Sequence, residues 1–255
     1  MRRTTEHAFQ TLSPGAAGGP LYRRVKLALL QAIESGRYPA GGALPSEAEL
    51  AGALGVSVGT LRHAVDELVA EHILVRQQGR GTFVALHTAD RILFGFFHVE
   101  SSDGMREIPQ VEMLSFARTR IDEEAAQALR VTAGDPAFEI ENRIMLQKRP
   151  VIHDRLVVPA LLFKGLTEKR LRERPSTIYH LYQTEFGITV TQALERARAV
   201  AAPRASARVL GIAAGAPVMQ VRRTALTFGD RPVEYRVSTI NTQLHDYVQL
   251  LSRPA

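Results

Sequence analysis

An α+β protein in two units is predicted from this sequence, and three observations predict it. Residues 44–84 place two short amphipathic helices around a glycine turn and follow them with a glycine-punctuated basic hairpin. From about residue 111 onward the chain reads as paired strands separated by short helices. Part of that second pattern occurs twice, because Leu129, Gly134 and Pro136 are matched by Leu210, Gly215 and Pro217 at a constant offset of 81 residues. A chain of 255 residues that is 45% hydrophobic can bury two modest cores. The expected units cover residues 20–86 and 93–251, after a small, turn-prone segment over residues 1–19 that is expected to be disordered.

In the first unit, Pro20 opens a helix in which Leu21, Val25, Ala28, Leu29, Ala32 and Ile33 form one apolar stripe that stops near Gly36. Tyr22, Arg23, Arg24 and Lys26 lie beside the stripe, either facing phosphates or forming a solvated basic face. Ser46 and Glu49 have the spacing of a capping box and open a second helix through Ala48, Leu50, Ala51 and Leu54. Gly55 ends it and allows a sharp turn. Ser57 caps a third helix, along which Leu61, Ala64, Val65, Leu68 and Val69 recur at helical spacing. Residues 73–76 and 82–84 are short strands around Gln77-Gln78-Gly79-Arg80-Gly81.

Two helices about a glycine turn with a wing behind them form a winged helix-turn-helix, whose second helix lies in the major groove of DNA. Arg62 is the best base reader, since a guanidinium takes guanine O6 and N7 bidentately; its alternative is a phosphate contact without sequence information. Arg80, between Gly79 and Gly81, can enter a minor groove without crowding. Thr60, His63, Arg76, Gln78 and Thr82 complete the candidate DNA-binding set together with Ser46 and Ser57, which are caps first.

In the second unit, residues 85–90 read as a polar linker, 92–99 as a buried strand and 100–106 as a loop. Residues 111–121 alternate as a strand, and Asp122 caps a helix through Leu129. Gly134-Asp135-Pro136 then turns the chain into a strand over residues 138–146, and Gln147-Lys148-Arg149-Pro150 closes a hairpin onto residues 151–158. A charged helix over residues 167–174 and a capped helix from Ser176 to Gly187 separate this copy from the next. There a strand over residues 188–201 leads to Gly215 and Pro217, and Arg231-Pro232-Val233 matches Arg149-Pro150-Val151 with one residue inserted. Two such copies predict a mixed sheet carrying short helices. They are too few and too long for a solenoid.

The first unit resembles the winged helix-turn-helix domain of GntR-type transcription regulators. The matching residues are Leu44-Pro45-Ser46-Glu47, Glu49-Leu50-Ala51, Val56-Ser57, Thr60-Leu61-Arg62, Leu68 and Gly79-Arg80-Gly81-Thr82-Phe83-Val84, with Val58 standing where the family commonly has arginine. The second unit is similar to the UTRA effector-binding domain of the HutC subfamily. Carrying that similarity are Arg143, the Arg149-Pro150-Val151 turn, Asp154, Pro159, Thr177-Ile178-Tyr179, Phe186-Gly187-Ile188, Glu195, Gly215, Pro217 and Pro232-Val233-Glu234-Tyr235, while Ile240 stands where the family pattern usually has tyrosine. The resemblance implies a chorismate lyase-like fold for the second unit. It also implies a repressor that binds an inverted-repeat operator in double-stranded DNA as a homodimer and is released by a small-molecule effector.

Composition narrows the alternatives. The net charge is +6, but residues 1–88 hold nine Lys/Arg against seven Asp/Glu, so basicity is weak support for DNA binding. The absence of cysteine excludes disulfides and thiolate metal sites. No apolar run is long enough to span a bilayer and no signal-peptide core follows Arg2 and Arg3, so a cytoplasmic protein without a membrane partner is expected. HExxH, GxSxG and phosphate-binding loops are missing, and His98, His153, His180 and His245 are dispersed; neither catalysis, cofactor nor metal is expected. The alternatives are an enzyme acting on a small molecule on the chorismate lyase-like fold and a DNA-bridging protein, and release from one operator on adding a metabolite tells them apart.

Within the second unit Arg143 lies on an inner strand where the other copy has Thr224, so a charge breaks the repeat at that place. A buried guanidinium is best fitted by a carboxylate or phosphate, which points to an anionic effector between the two copies. Thr177 and Tyr179 at a helix start would complete the anion cradle. Glu234 would take hydroxyl or amine groups at the other end of the effector, with Asp154 and Glu195 as weaker candidates. The alternative for Arg143 is an internal ion pair to Asp154 or Glu141 with no ligand.

Overall fold

The computed structural model describes residues 19–87, 96–105 and 107–249. The chain divides into two compact units, Met1–Leu86 and His87–Ala255. Residues 1–18 of the N-terminal segment expected to be disordered, the linker beyond residue 87 and the first half of the strand expected over residues 92–99 lie outside the described residues. Among the described residues no helix is long and apolar enough to cross a membrane.

The first unit contains α1 (Leu21–Glu34), α2 (Glu47–Leu54), α3 (Val58–Ala70), β1 (Leu74–Gln77) and β2 (Gly81–Val84). Val25, Leu29, Ala32 and Ile33 of the α1 stripe are buried, and Leu29, Leu54, Leu61 and Leu68 have no exposed surface, so the three helices share one core. Truncating any of these leucines to alanine costs about 2–5 kcal/mol. Lys26 bonds Glu67 at 2.7 Å and Glu71 at 2.5 Å, fastening α1 to α3. That residue is a helix tie here and not part of a solvated face. Gly55 ends α2 at φ 68°, the left-handed conformation that lets the chain turn into α3 within three residues. The hairpin of β1 and β2 pairs Leu74 with Val84 and Gln77 with Gly81.

The second unit contains β3 (Val99–Ser101), β4 (Gln110–Arg120), α4 (Glu123–Leu129), β5 (Pro136–Leu146), β6 (Arg149–Pro159), α5 (Glu168–Arg172), α6 (Ile178–Phe186), β7 (Gln192–Ala201), α7 (Arg204–Leu210), β8 (Pro217–Thr227), β9 (Arg231–Ile240) and β10 (His245–Tyr247). Six strands form one sheet in the order β4-β5-β6-β9-β8-β7, while β3 and β10 pair separately. Every pairing among the described residues is antiparallel. This corrects the mixed sheet expected from the pattern: each copy closes through a hairpin, and the two hairpins meet at β6 and β9, so no crossover produces a parallel pair.

The repeat is real in three dimensions. One copy is β4-α4-β5-β6 and the other β7-α7-β8-β9, and each hairpin carries an irregularity at the equivalent place, after Ile144 in β5 and after Ala225 in β8. Arg155 faces Val237 where the copies meet, and these two positions correspond once the inserted hairpin residue is counted. A pseudo-two-fold axis therefore passes between them, and α4 packs on β9 while α7 packs on β6. Strand alternation sorts the side chains. Phe138 and Ile140 face α6 in one core cluster, and Ala137, Val157 and Tyr235 face α4 in another.

Candidate functional site

The head is built from caps outward. Ser46 accepts the Glu49 amide at 3.3 Å and Glu49 accepts the Ser46 amide at 2.9 Å and its hydroxyl at 2.8 Å, which lowers the pKa of the Glu49 carboxyl. Ser57 accepts the Thr60 amide at 3.1 Å, and the two hydroxyls lie 2.8 Å apart. Glu47, on the first turn of α2, accepts Arg62 Nε at 2.9 Å and Arg76 Nη2 at 3.4 Å. It thereby gathers an arginine of α3 and one of β1 on the same side of the head. Arg76 also bonds Asp66 at 2.6 Å. His63 lies against Tyr22 with ring centroids 4.1 Å apart, and its Nε2 is 3.6 Å from Glu67. At the wing tip Gly79 and Gly81 have φ of 70° and 108°, conformations that side chains resist, and hold Arg80 exposed between them with its guanidinium 5.9 Å from the Phe83 ring. Gln78 is exposed beside it. Thr82 is half-buried and its carbonyl accepts the Leu44 amide at 2.8 Å, so its backbone serves the fold.

The second unit encloses a cavity of about 420 Å³, lined from both copies, from the α6 start and from the segment leading into β3. Asn142, Ile144, Ile152 and Asp154 come from the first copy, and Glu195, Val221, Arg223, Arg236, Ser238 and Ile240 from the second. Arg236 is its best-tied cation: Nη1 donates to Asp154 at 3.1 Å and Nε to Glu234 at 3.0 Å, and the guanidinium sits 5.6 Å from the Tyr179 ring centroid. Burial alone would depress its pKa, but Glu234, Tyr179 and Asp154 outweigh burial and raise it well above the ordinary value. Glu234 has no exposed surface and also accepts Tyr179 at 3.1 Å and Tyr182 at 2.8 Å. Burial and that carboxylate push the Tyr179 hydroxyl up to about 12, so it remains a donor. Glu195 accepts Arg223 and the Tyr247 hydroxyl.

Arg174 stands apart. It lines the cavity between α5 and α6, has no ion-pair partner among the described residues, and keeps its Nε buried without a hydrogen bond. Burial and the neighbouring Arg236 pull its pKa below the ordinary value. Ser176 and Thr177 line the cavity beside it at the start of α6, where Thr177 caps the helix by accepting the His180 amide at 3.1 Å.

Residues 21–84 match the bacterial regulatory proteins of the gntR family, and residues 104–246 match the UTRA domain. The chain is 31% identical over 215 residues to the histidine utilization repressor of Pseudomonas aeruginosa, covering 82% of each chain. The chain belongs to the GntR family. The GntR regulator is also 33% identical over 186 residues to the histidine utilization repressor of Klebsiella aerogenes, covering 71% of this chain and 77% of that one. A crystal structure of the ligand-binding domain of a GntR-family regulator from Bordetella bronchiseptica superimposes with a TM-score of 0.57 and 32% identity, covering 61% of this chain and 96% of that one. The protein is thus a DNA-binding transcriptional repressor with an effector-binding UTRA domain, and not an enzyme.

In this GntR regulator the candidate effector residues fall in three places. Asp154, Thr177, Tyr179 and Glu195 line the cavity. Glu234 lies behind it, holding Arg236 and two tyrosines. Arg143 is on the opposite face of the sheet, because Asn142 and Ile144 of the same strand face the cavity and successive side chains alternate. Its Nη2 bonds Glu112 on β4 at 2.6 Å, so its partner is neither Asp154 nor Glu141. The guanidinium groups that line the cavity are those of Arg172, Arg174, Arg223 and Arg236. The repeat carried a signal for Arg236, since counting the inserted residue sets it against Asp154, opposite charges at equivalent positions.

The chain leaving the head is fastened next to this cavity. The His87 amide donates to Gln183 Oε1 at 3.1 Å, and the His87 carbonyl accepts the Thr177 hydroxyl at 3.3 Å. Its ring packs edge-on against Tyr179 and Phe96, both of which line the cavity.

Proposed function

We propose that the protein is a homodimeric repressor that binds an inverted-repeat operator and is released when its UTRA cavity takes a small anion. The observation that carries the anion is Arg174, a cavity cation whose Nε is buried and unsatisfied and whose charge is disfavoured by burial and by Arg236. A carboxylate or phosphate there supplies the missing acceptor and the compensating charge, and it faces the start of α6, where backbone amides point outward. The four guanidinium groups around the cavity, Arg172, Arg174, Arg223 and Arg236, outnumber its two carboxylates, Asp154 and Glu195. For the dimer, the support is the sheet itself: β4 and β7 each pair on one side only, leaving long edges on which a second copy can add. Two heads carried by a two-fold dimer call for a two-fold operator. Arg62, Arg76 and the wing tip from Gln78 to Thr82 are the residues assigned to DNA.

Titrating the full-length protein onto its own upstream DNA, with and without a panel of small anions, tests this. The expected result is protection of two symmetric half-sites, release by at least one anion, and loss of that release in Arg174→Ala with operator affinity unchanged. Release that survives in Arg174→Ala would move the anion site elsewhere.

A further inference from the structure

The two copies of the second unit share a backbone plan but not a charge. Residues 196–223 hold six arginines and no acidic residue, whereas the equivalent residues 115–142, at the offset of 81, hold six acidic residues and three arginines. One scaffold built twice with opposite charge shows that the fold itself does not require the arginines. In the first copy acids are engaged within the unit: Asp122 and Glu139 pair with Arg155, and Glu124 pairs with Arg222 and accepts the Tyr235 hydroxyl.

Strand register gathers the arginines of the second copy. Arg198 lies in one row with Gln220, Thr239 and His153. This is the face away from the cavity, because Asp154 beside His153 lines the cavity and successive side chains alternate. Arg196, two residues from Arg198, shares that face and is paired in register with Arg222 on β8. Helix α7 covers the same face, since Ser206 Oγ lies 3.1 Å from His153 Nδ1 and donates to Thr239 at 3.3 Å. Arg204 and Arg208, each two residues from Ser206, turn to the other side of the helix. Arg196, Arg198, Arg204 and Arg208 are all exposed, and none has a carboxylate partner among the described residues.

We infer that this face of the UTRA unit holds phosphates of the duplex that flanks the operator. Four guanidinium groups on neighbouring elements with no acid among them suit an anion that repeats, and a guanidinium fits phosphate bidentately. None of the four lines the effector cavity, so their charge is separate from the anion reading there. A second copy of the chain is a poorer match, because Asp122, Glu124 and Glu139 are already paired on its own surface. The operator duplex is brought to the molecule by the head, and its flanking phosphates are then presented at high effective concentration. DNA binding thereby gains a sequence-independent part that the winged helix does not supply.

Mobility-shift titrations of the full-length protein over a range of salt concentrations test this. One duplex is its upstream operator trimmed to the protected segment, and the other is the same operator extended at each end by about 20 base pairs, roughly 70 Å, of unrelated sequence. On the extended duplex log K should fall with log salt more steeply by about 3–4 for each protomer engaged, near 0.9 for each phosphate neutralised by the four arginines. The combined variant Arg196→Gln, Arg198→Gln, Arg204→Gln and Arg208→Gln should bring the two slopes together and leave the trimmed operator bound as before. Replacing the same four by lysine should keep the difference. So should Arg118→Gln with Lys148→Gln and Lys164→Gln, exposed cations elsewhere in the unit. Equal slopes in the wild type would overturn the inference, and so would a difference that vanishes with those three control cations, which would make it an effect of net charge. A shifted complex containing two differently labelled duplexes and lost in the combined variant would overturn it by assigning the face to a second DNA molecule. Loss of dimerisation in that variant, by analytical ultracentrifugation, would overturn it by assigning the face to another copy of the chain. The inference rests on the operator reading above, and the absence of any protected segment would remove both.

Discussion

Arg62 in the head and Arg236 in the UTRA unit are both tied to carboxylates, yet 60% of the Arg62 side chain is exposed against 13% of Arg236. The difference separates two uses of one residue type. An exposed pair contributes about 0–1 kcal/mol, so Glu47 orients Arg62 while leaving it available to a base or phosphate. A buried pair is held by attraction in a low-dielectric surrounding that offsets the cost of desolvation, and removing one member leaves a charge with neither water nor that partner. The head leaves its guanidinium groups open to solvent, whereas the cavity holds Arg236 between two carboxylates.

The contrast is sharpest at Glu234. Glu234→Ala leaves Arg236 with Asp154 as its one remaining carboxylate and two buried tyrosine hydroxyls without their acceptor, and the unfolding transition of the UTRA unit in urea should lose about 3–5 kcal/mol; a loss below about 1 kcal/mol would mean that water reaches the site and that the contrast with the head is false. In the head, Arg62→Ala should weaken the cognate operator by about 1–3 kcal/mol while sparing random DNA. Equal loss on both, in a mobility-shift titration, would make Arg62 a phosphate contact only. Arg143 supplies the intermediate case, an arginine of the UTRA unit that is 34% exposed and paired with Glu112. Arg143→Ala should change stability by less than about 1 kcal/mol and leave effector release as in the wild type. Loss of release with the fold intact would return Arg143 to the ligand site.

Much of this was legible locally. Ser46 with Glu49, Ser57, Asp122 and Thr177 all cap the helices whose starts they mark, because a cap is a relation between residues three apart. The two copies were visible in the spacing of their glycine and proline turns. Two things were not. Strand direction across the β6 and β9 junction is a contact 80 or so residues long in sequence, and nothing near either strand encodes it. The face of β5 was misjudged at Arg143, although the alternation of Phe138, Ile140 and Ile144 assigns the inner face to Asn142, and a shift of one residue reverses every side chain. Arg174 reaches the cavity from the connection between α5 and α6, where no periodic pattern announces a direction.

The hydroxyl of Thr177 carries a single proton, and in this structure the His87 carbonyl receives it. An effector that accepts at the same oxygen competes for that proton with the peptide leading out of the head. Such competition runs both ways, since a ligand that weakens the grip on DNA by some factor is itself weakened by DNA by the same factor. An effector affinity measured on the protein alone would then overstate what the operator-bound repressor feels. The concentration needed to open the promoter would rise with the strength of the operator, and identical copies of this protein on strong and weak sites would respond to one metabolite in sequence.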